Sequence, residues 1–122
     1  MSSQNNQVLF NEKQLLESVF GDAVFLRKLL DIFLNDSQSL LIEIAEALDM
    51  SDGNTLRRKA HSMKNLGRNI SSQLLIDIAL ELEKNGEREV FSEAKEKYPK
   101  LRELVFELQR AVRLFIDESI PN

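Results

Sequence analysis

The side chain best suited to nucleophilic or acid–base chemistry in this sequence is His61, the chain's one histidine. If the residues around it form a helix, the inward positions are the apolar Ala60 and Met63. The positions one helical turn from His61 are all polar, namely Arg57, Arg58, Lys64 and Asn65. This pattern predicts that His61 faces solvent or the edge of the fold. A lone exposed histidine is usually incidental, so the residues alone leave open a chemical role and an ordinary surface position.

Other common reaction centres are missing from the sequence. The chain has no cysteine, which excludes disulfides, thiol nucleophiles and cysteine-based zinc sites. A single histidine also disfavours a histidine-rich catalytic metal site, and we expect no metal ligand set. The sequence contains no phosphate-binding glycine loop, no HExxH motif and no GxSxG motif. Autonomous hydrolysis, redox chemistry and ATP-driven catalysis therefore lack their usual residues.

Charge is distributed unevenly around His61. The net charge is −6 over residues 1–52, +5 over residues 53–76 and −3 over residues 77–122, within a total of −4. A basic segment in an acidic protein suits a partner with a local acidic surface, although a solvated helix face would have the same composition. Nucleic-acid binding is a weaker alternative, because the chain is acidic overall and the basic segment contains no aromatic residue for stacking.

Length and composition indicate one soluble domain. The chain has 122 residues, of which 43% are apolar and 30% charged, enough to build a single core. No segment approaches the ~20 consecutive apolar residues of a membrane span. The polar N-terminus also lacks the features of a signal peptide. We therefore expect a cytoplasmic protein with a flexible polar N-terminus over residues 1–9 and a single domain over residues 10–120. The sequence leaves open a complete protein or a part of a hybrid kinase, and Met1 favours the former.

The elements that must position His61 are helices. Only four glycines and two prolines occur, which disfavours a turn-rich β fold. Five helices are expected. The first covers residues 12–19 with Asn11 as its cap, and the second and third begin after the caps Asp22 and Asp52. The fourth runs from Ser71-Ser72 to near Asn85-Gly86, and the last covers roughly residues 88–118. Pro99 is expected to kink the last helix or to mark a fresh start. Apolar residues at helical spacing predict an all-α fold, an antiparallel up-down-up-down four-helix bundle with a short extra N-terminal helix.

The segment around His61 resembles a known family signature. Ala60-His61-Ser62-Met63-Lys64, followed by Asn65-Leu66-Gly67-Arg68-Asn69-Ile70, is similar to the motif of the histidine-containing phosphotransfer (HPt) family. In that family the motif runs Ala-His-x-Leu/Met-Lys-Gly, then small residues, then Ile/Leu and Gly. Phe10-Asn11 and Gly21-Asp22 resemble the family's N-terminal segment, and Leu82-Glu83 resembles its recurrent Leu-Glu pair. The resemblance extends over most of the chain and implies the same antiparallel bundle.

The resemblance implies a phosphorelay intermediate. His61 Nε2 would accept a phosphoryl group from a receiver-domain aspartate and pass it to another receiver aspartate. The partners would be response-regulator receiver domains and a hybrid sensor histidine kinase. The chain would have no kinase or phosphatase machinery, and Mg²⁺ would be supplied by the receiver and not bound by this chain. Phosphoryl transfer depends mainly on positioning and charge neutralisation, so one protein can supply the histidine and the other the Mg²⁺.

The same resemblance gives roles to the neighbours of His61. Lys64 would neutralise the transferring group, with an ordinary exposed helix lysine as the alternative. Glu83 would hold the imidazole through Nδ1–H and free Nε2 for attack, with a solvated helix carboxylate as the alternative. The docking surface would comprise the polar residues Arg57, Arg58, Asn65 and Arg68.

Two positions depart from the family pattern. Asn65 stands where a glycine usually follows the lysine, and Ser71 stands where a second glycine is common. Asn65 is expected to add bulk near His61 and to narrow the choice of partner. The departure leaves a second interpretation open, a non-catalytic helical adaptor that binds receiver or kinase partners without phosphotransfer. The leading interpretation is a monomeric phosphocarrier that docks transiently, with no nucleic acid or membrane as partner.

Overall fold

A computed structural model describes residues 8–120, so residues 1–7 of the predicted flexible N-terminus lie outside the described part of the chain. The described chain forms five α-helices and no strand. They are α1 (Glu12–Ser18), α2 (Ala23–Asp49), α3 (Gly53–Asn69), α4 (Gln73–Arg88) and α5 (Phe91–Ser119). The predicted all-α fold is confirmed. Within residues 8–120, no helix is both long and apolar enough to cross a bilayer.

The first four helices begin at side-chain caps. Asn11 Oδ1 accepts a hydrogen bond from the Gln14 backbone N–H at 2.9 Å, as expected of the cap predicted at Asn11. Asp22, Asp52 and Ser72 accept from backbone N–H groups of the first turns of α2, α3 and α4. α5 begins after Val90 without a side-chain cap. Its start therefore depends on tertiary packing more than on local capping.

Helices α2 to α5 surround one apolar core. α3 packs against α2 and α4, and α5 packs against the same two helices. Gly53 at the start of α3 lies against Gly86 near the end of α4, so these two helices run antiparallel. The core contains buried apolar residues from every helix, among them Leu15, Leu30, Phe33, Ile44, Leu56, Met63, Leu75, Leu82, Leu101 and Leu108. Burial of this apolar surface is the main stabilising contribution to the bundle.

The segment before α1 closes one end of the bundle. Phe10 is buried, and its ring meets the Phe115 ring of α5 edge to face, with centroids 5.6 Å apart. The Asn11 backbone N–H donates to the Ser71 backbone carbonyl oxygen at 2.8 Å. One short segment therefore contacts both the last helix and the turn between α3 and α4.

Polar contacts from Gln109 and Tyr98 join α5 to α2. Gln109 Nε2 donates to the buried Ser37 Oγ at 3.0 Å. The Tyr98 hydroxyl donates to the Leu41 backbone carbonyl oxygen at 2.9 Å. Ser37 lies among the buried apolar residues of α2 with its hydroxyl group bonded. Buried polar groups that are satisfied in this way favour one packing register over others.

Two expectations about helix limits were wrong. α4 does not stop near Asn85-Gly86 but continues to Arg88, because Gly86 is buried against α3 and serves helix packing instead of chain termination. For Pro99, a fresh start is wrong, since α5 is helical without a break from Phe91 to Ser119, and the alternative, a kink, stays a prediction. Pro99 is exposed, so water can hydrate the backbone carbonyl group that its missing N–H leaves free.

Each turn between helices contains a non-glycine residue with positive φ. These residues are Phe20 (53°), Ser51 (50°), Ser71 (58°) and Glu89 (58°). The left-handed conformation is unfavourable for residues with a Cβ atom and normally favours glycine. The value at Ser71 gives a physical reason for the glycine that is common at this position in the family that the sequence resembles.

Candidate functional site

The site lies along the contact between α3 and α4, which has a glycine close to the facing backbone at each end. A Cβ atom on Gly86 would lie 2.6 Å from the Arg57 backbone nitrogen and 2.7 Å from the Gly53 carbonyl oxygen. At the other end of the contact, a Cβ atom on Gly67 would lie 3.0 Å from the Ile76 backbone nitrogen. Glycine at both ends lets the two backbones come together. Side chains that face each other across the middle of this contact are therefore within hydrogen-bonding reach.

His61 and Glu83 face each other across this contact. The distance between His61 Nδ1 and Glu83 Oε2 is 3.0 Å. An ionised carboxylate only accepts hydrogen bonds, so Nδ1 carries the hydrogen and donates it to Glu83. In the neutral imidazole this leaves a lone pair on Nε2. The His61 side chain is 49% exposed, so the ring is fixed on one side and accessible on the other.

Glu83 also contacts Lys64. Lys64 Nζ lies 2.7 Å from Glu83 Oε1, so each carboxylate oxygen has a different partner. The short contact joins two oppositely charged groups and is an ion pair. The Glu83 and Lys64 side chains are 20% and 10% exposed. Lys64, Glu83 and His61 thus form one connected group, with only the imidazole open to solvent to any large extent.

The electrostatic surroundings keep Glu83 ionised. Burial alone would raise the pKa of Glu83, because it penalises the charged form. The contacts with Lys64 and His61 outweigh burial, so the pKa of Glu83 lies below its ordinary value. The carboxylate that accepts from Nδ1 is therefore negatively charged at neutral pH.

The structure places Lys64 differently from an exposed helix lysine. It is buried, and its ammonium group is directed to Glu83. Because its ammonium group reaches Glu83 on α4, the buried Lys64 side chain lies between α3 and α4. The polarity of the residue gave no sign of this burial.

The predicted docking residues lie on the side of α3 that carries His61. Arg58, Asn65 and Arg68 are exposed, and Arg57 is partly exposed. Each arginine donates to a neutral side chain three positions earlier: Arg57 Nη2 to Asn54 Oδ1 at 2.9 Å, Arg58 Nη2 to Thr55 Oγ1 at 3.4 Å, and Arg68 Nη1 to Asn65 Oδ1 at 3.2 Å. Within residues 8–120, none of these arginines has a carboxylate within ion-pair distance. The roles of Asn54 and Thr55 as acceptors were not predicted.

The fold and the site define an all-helical bundle that presents one oriented histidine. A family model, the Hpt domain, matches residues 28–117, which include all of α3 and α4 and most of α2 and α5. The chain belongs to the Hpt domain family. Hpt domains carry out histidine phosphotransfer in phosphorelays and interact there with receiver domains and kinases. A search of curated proteins and a search of solved structures each gave no match.

Proposed function

We propose that this Hpt domain is a phosphorelay intermediate in which His61 accepts a phosphoryl group from a receiver-domain aspartate and passes it to another. The observation that carries the proposal is the 3.0 Å contact between His61 Nδ1 and Glu83 Oε2 on a ring that is half exposed. It directs the Nε2 lone pair to the side where a partner can approach.

In the proposed transfer, the His61 Nε2 lone pair attacks the phosphorus atom of the aspartyl phosphate. The N–P bond forms as the P–O bond to the aspartate breaks, and the carboxylate leaves with the electron pair. The phosphorylated ring then carries a positive charge that is shared with Nδ1–H. Glu83 stabilises this charge through its hydrogen bond to Nδ1, and the reverse sequence passes the phosphoryl group to the second receiver.

Lys64 is proposed to act mainly through Glu83. Its ammonium group lies 2.7 Å from Oε1, and its side chain has little exposed surface. By pairing with the carboxylate it keeps Glu83 charged and in place beside the ring. A direct contact of Lys64 with the transferring group would require this ion pair to open.

Further parts of the proposal concern the setting of the reaction. We propose that the chain acts as a monomeric, cytoplasmic single domain over residues 10–120, with a hybrid sensor kinase upstream and receiver domains as direct partners. Mg²⁺ would come from the receiver. Among the described residues there is no group of three or more histidine, aspartate or glutamate side chains that could hold a metal ion. Arg57, Arg58, Asn65 and Arg68 are the proposed docking residues.

The test is phosphoryl transfer from purified receiver domains that have been phosphorylated with acetyl phosphate. The wild-type chain should acquire label that is labile in acid and stable in base, as expected of phosphohistidine. His61→Gln should keep its helical circular dichroism spectrum and acquire no such label. Ser62→Ala is the matched control, since it changes the neighbouring exposed residue and should be labelled like the wild type.

Two results would contradict the proposal. One is acid-labile label on His61→Gln, which has no histidine left to carry it. The other is binding of the wild type to phosphorylated receivers without any transfer, which would favour the non-catalytic adaptor.

A further inference from the structure

The three arginines near His61 on α3 share one local geometry. Each donates to a side-chain oxygen three positions earlier in the chain, so each guanidinium group is drawn towards the N-terminal end of the helix. The consequence differs on the two sides of His61. Arg57 and Arg58 precede His61, and their hydrogen bonds draw them away from it. Arg68 follows His61, and its hydrogen bond to Asn65 draws it nearer.

The position of Asn65 sets the distance. Asn65 lies four residues after His61, which is one helical turn and about 6 Å along the helix axis. Arg68 lies seven residues after His61, almost directly in line with it on the same face. The 3.2 Å hydrogen bond from Arg68 Nη1 to Asn65 Oδ1 therefore holds the guanidinium group about one turn from the imidazole.

The Arg68 side chain also borders a cavity that is lined by a carboxylate. It lines a cavity of about 450 Å³ between the start of α1 and the junction of α3 and α4, and Asp77 lines the same cavity. Asp77 Oδ1 accepts from Gln73 Nε2 at 2.8 Å, and no ion pair joins it to Arg68 in the described structure. Without the Asn65 side chain, the guanidinium group would be free to turn towards this carboxylate.

We infer that Asn65 is a positioning residue for partner recognition: it holds the Arg68 guanidinium beside His61, where it meets the acidic surface around a receiver's phosphorylated aspartate. The inference rests on the proposed function and deepens it. An aspartyl phosphate carries negative charge, and Arg68 is a cation without a carboxylate partner within ion-pair distance in the described chain. Asparagine in place of the family's usual glycine then adds a specific contact instead of only bulk.

The test compares Asn65→Ala, Arg68→Ala and the double variant with the wild type. The donor is the purified receiver domain that labels the wild type, phosphorylated with acetyl phosphate. Asn65→Ala should lower kcat/KM for transfer by about threefold to tenfold, mainly through a higher KM, since a positioned charge acts on encounter and binding. Arg68→Ala should lower it at least as much, and the double variant should match Arg68→Ala because Asn65 acts through that residue.

Asn54→Ala is the matched control. It removes the corresponding hydrogen bond from Arg57, which lies on the other side of His61 and is drawn away from it. Its kcat/KM should fall by less than that of Asn65→Ala, because the hydrogen bond that it removes draws Arg57 away from His61 and not towards it. The thermal unfolding midpoints of Asn54→Ala and Asn65→Ala should both remain close to that of the wild type.

A second readout separates this inference from the proposed function. Phosphoramidate is a small donor that needs no protein docking, so it should label the wild type and Asn65→Ala at equal rates. Failure of phosphoramidate and receivers to label His61 would overturn the proposed function and this inference with it. If His61 is labelled normally, any one of three results would overturn this inference and leave the proposed function standing. These results are transfer to Asn65→Ala at the wild-type rate, an effect of Asn65→Ala that persists in the Arg68→Ala background, and equal impairment of Asn54→Ala.

Discussion

Replacing Glu83 with glutamine should destabilise the fold by about 1–3 kcal/mol at pH 7. Glutamine keeps the size of the side chain but removes the charge that faces Lys64 Nζ at 2.7 Å. Breaking a fully buried ion pair costs about 3–5 kcal/mol, whereas an exposed pair contributes at most about 1 kcal/mol. The Lys64 and Glu83 side chains are 10% and 20% exposed, so this pair lies between the two limits.

The cost of Glu83→Gln should depend on pH in one direction. Burial would raise the pKa of Glu83, but Lys64 and His61 outweigh it and hold the pKa below the ordinary value of 4.5. A carboxyl group with a depressed pKa stabilises the folded state above its unfolded pKa, and this contribution is lost as the pH falls through the folded pKa. The difference in stability between the wild type and Glu83→Gln should therefore be full at pH 7 and should shrink below pH 4.5.

The assay is urea unfolding, followed by far-ultraviolet circular dichroism at several pH values, with the m-value checked for constancy. Lys64→Met is the matched background, since it removes the ammonium group that Glu83→Gln leaves without a partner. Glu83→Gln should cost less in that background than in the wild type. A cost at pH 7 below about 0.5 kcal/mol, or an equal cost in both backgrounds, would refute the view that Lys64 and Glu83 stabilise each other.

Two further substitutions test the backbone of the site. Ser71→Gly should raise the free energy of unfolding by about 0.5–1 kcal/mol, because Ser71 has φ 58° and glycine adopts this conformation without strain; a lower thermal midpoint would contradict this. Gly86→Ala should lower it by about 1–3 kcal/mol, because the added Cβ would lie 2.6 Å from the Arg57 backbone nitrogen. The same variant should slow phosphoryl transfer to His61 by moving α4 and Glu83 away from the ring; unchanged stability and rate together would show that the close approach of α3 and α4 is dispensable.

The features that the sequence predicted well are local. Asn11, Asp22 and Asp52 cap their helices because a cap needs only the next few backbone N–H groups. The inward residues follow from helical periodicity, which is also local. The contact between Glu83 and His61 joins residues 22 positions apart and was expected only through the family resemblance.

Two features that the sequence did not predict depend on how closely α3 and α4 pack. The burial of Lys64 and the continuation of α4 past Gly86 both follow from glycines that meet across the two helices. Gly53 and Gly86 are distant in sequence, and either glycine read by itself is more typical of a turn than of a helix contact. The side-chain hydrogen bonds of the arginines were missed for another reason, since exposed amides and guanidinium groups have many alternative partners in solvent.

The contact between Phe10 and Phe115 bears on how the domain can be joined to others. Because these two rings touch, the first and last helical segments of the described chain meet at the same end of the bundle. The turn at Ser71 lies at that end as well, since its carbonyl oxygen accepts from Asn11. His61 stands ten residues before Ser71, about 15 Å along α3 from this end. The bundle can therefore be inserted into a longer polypeptide, or carry a fused neighbour, through connections that lie away from the His61 side chain itself.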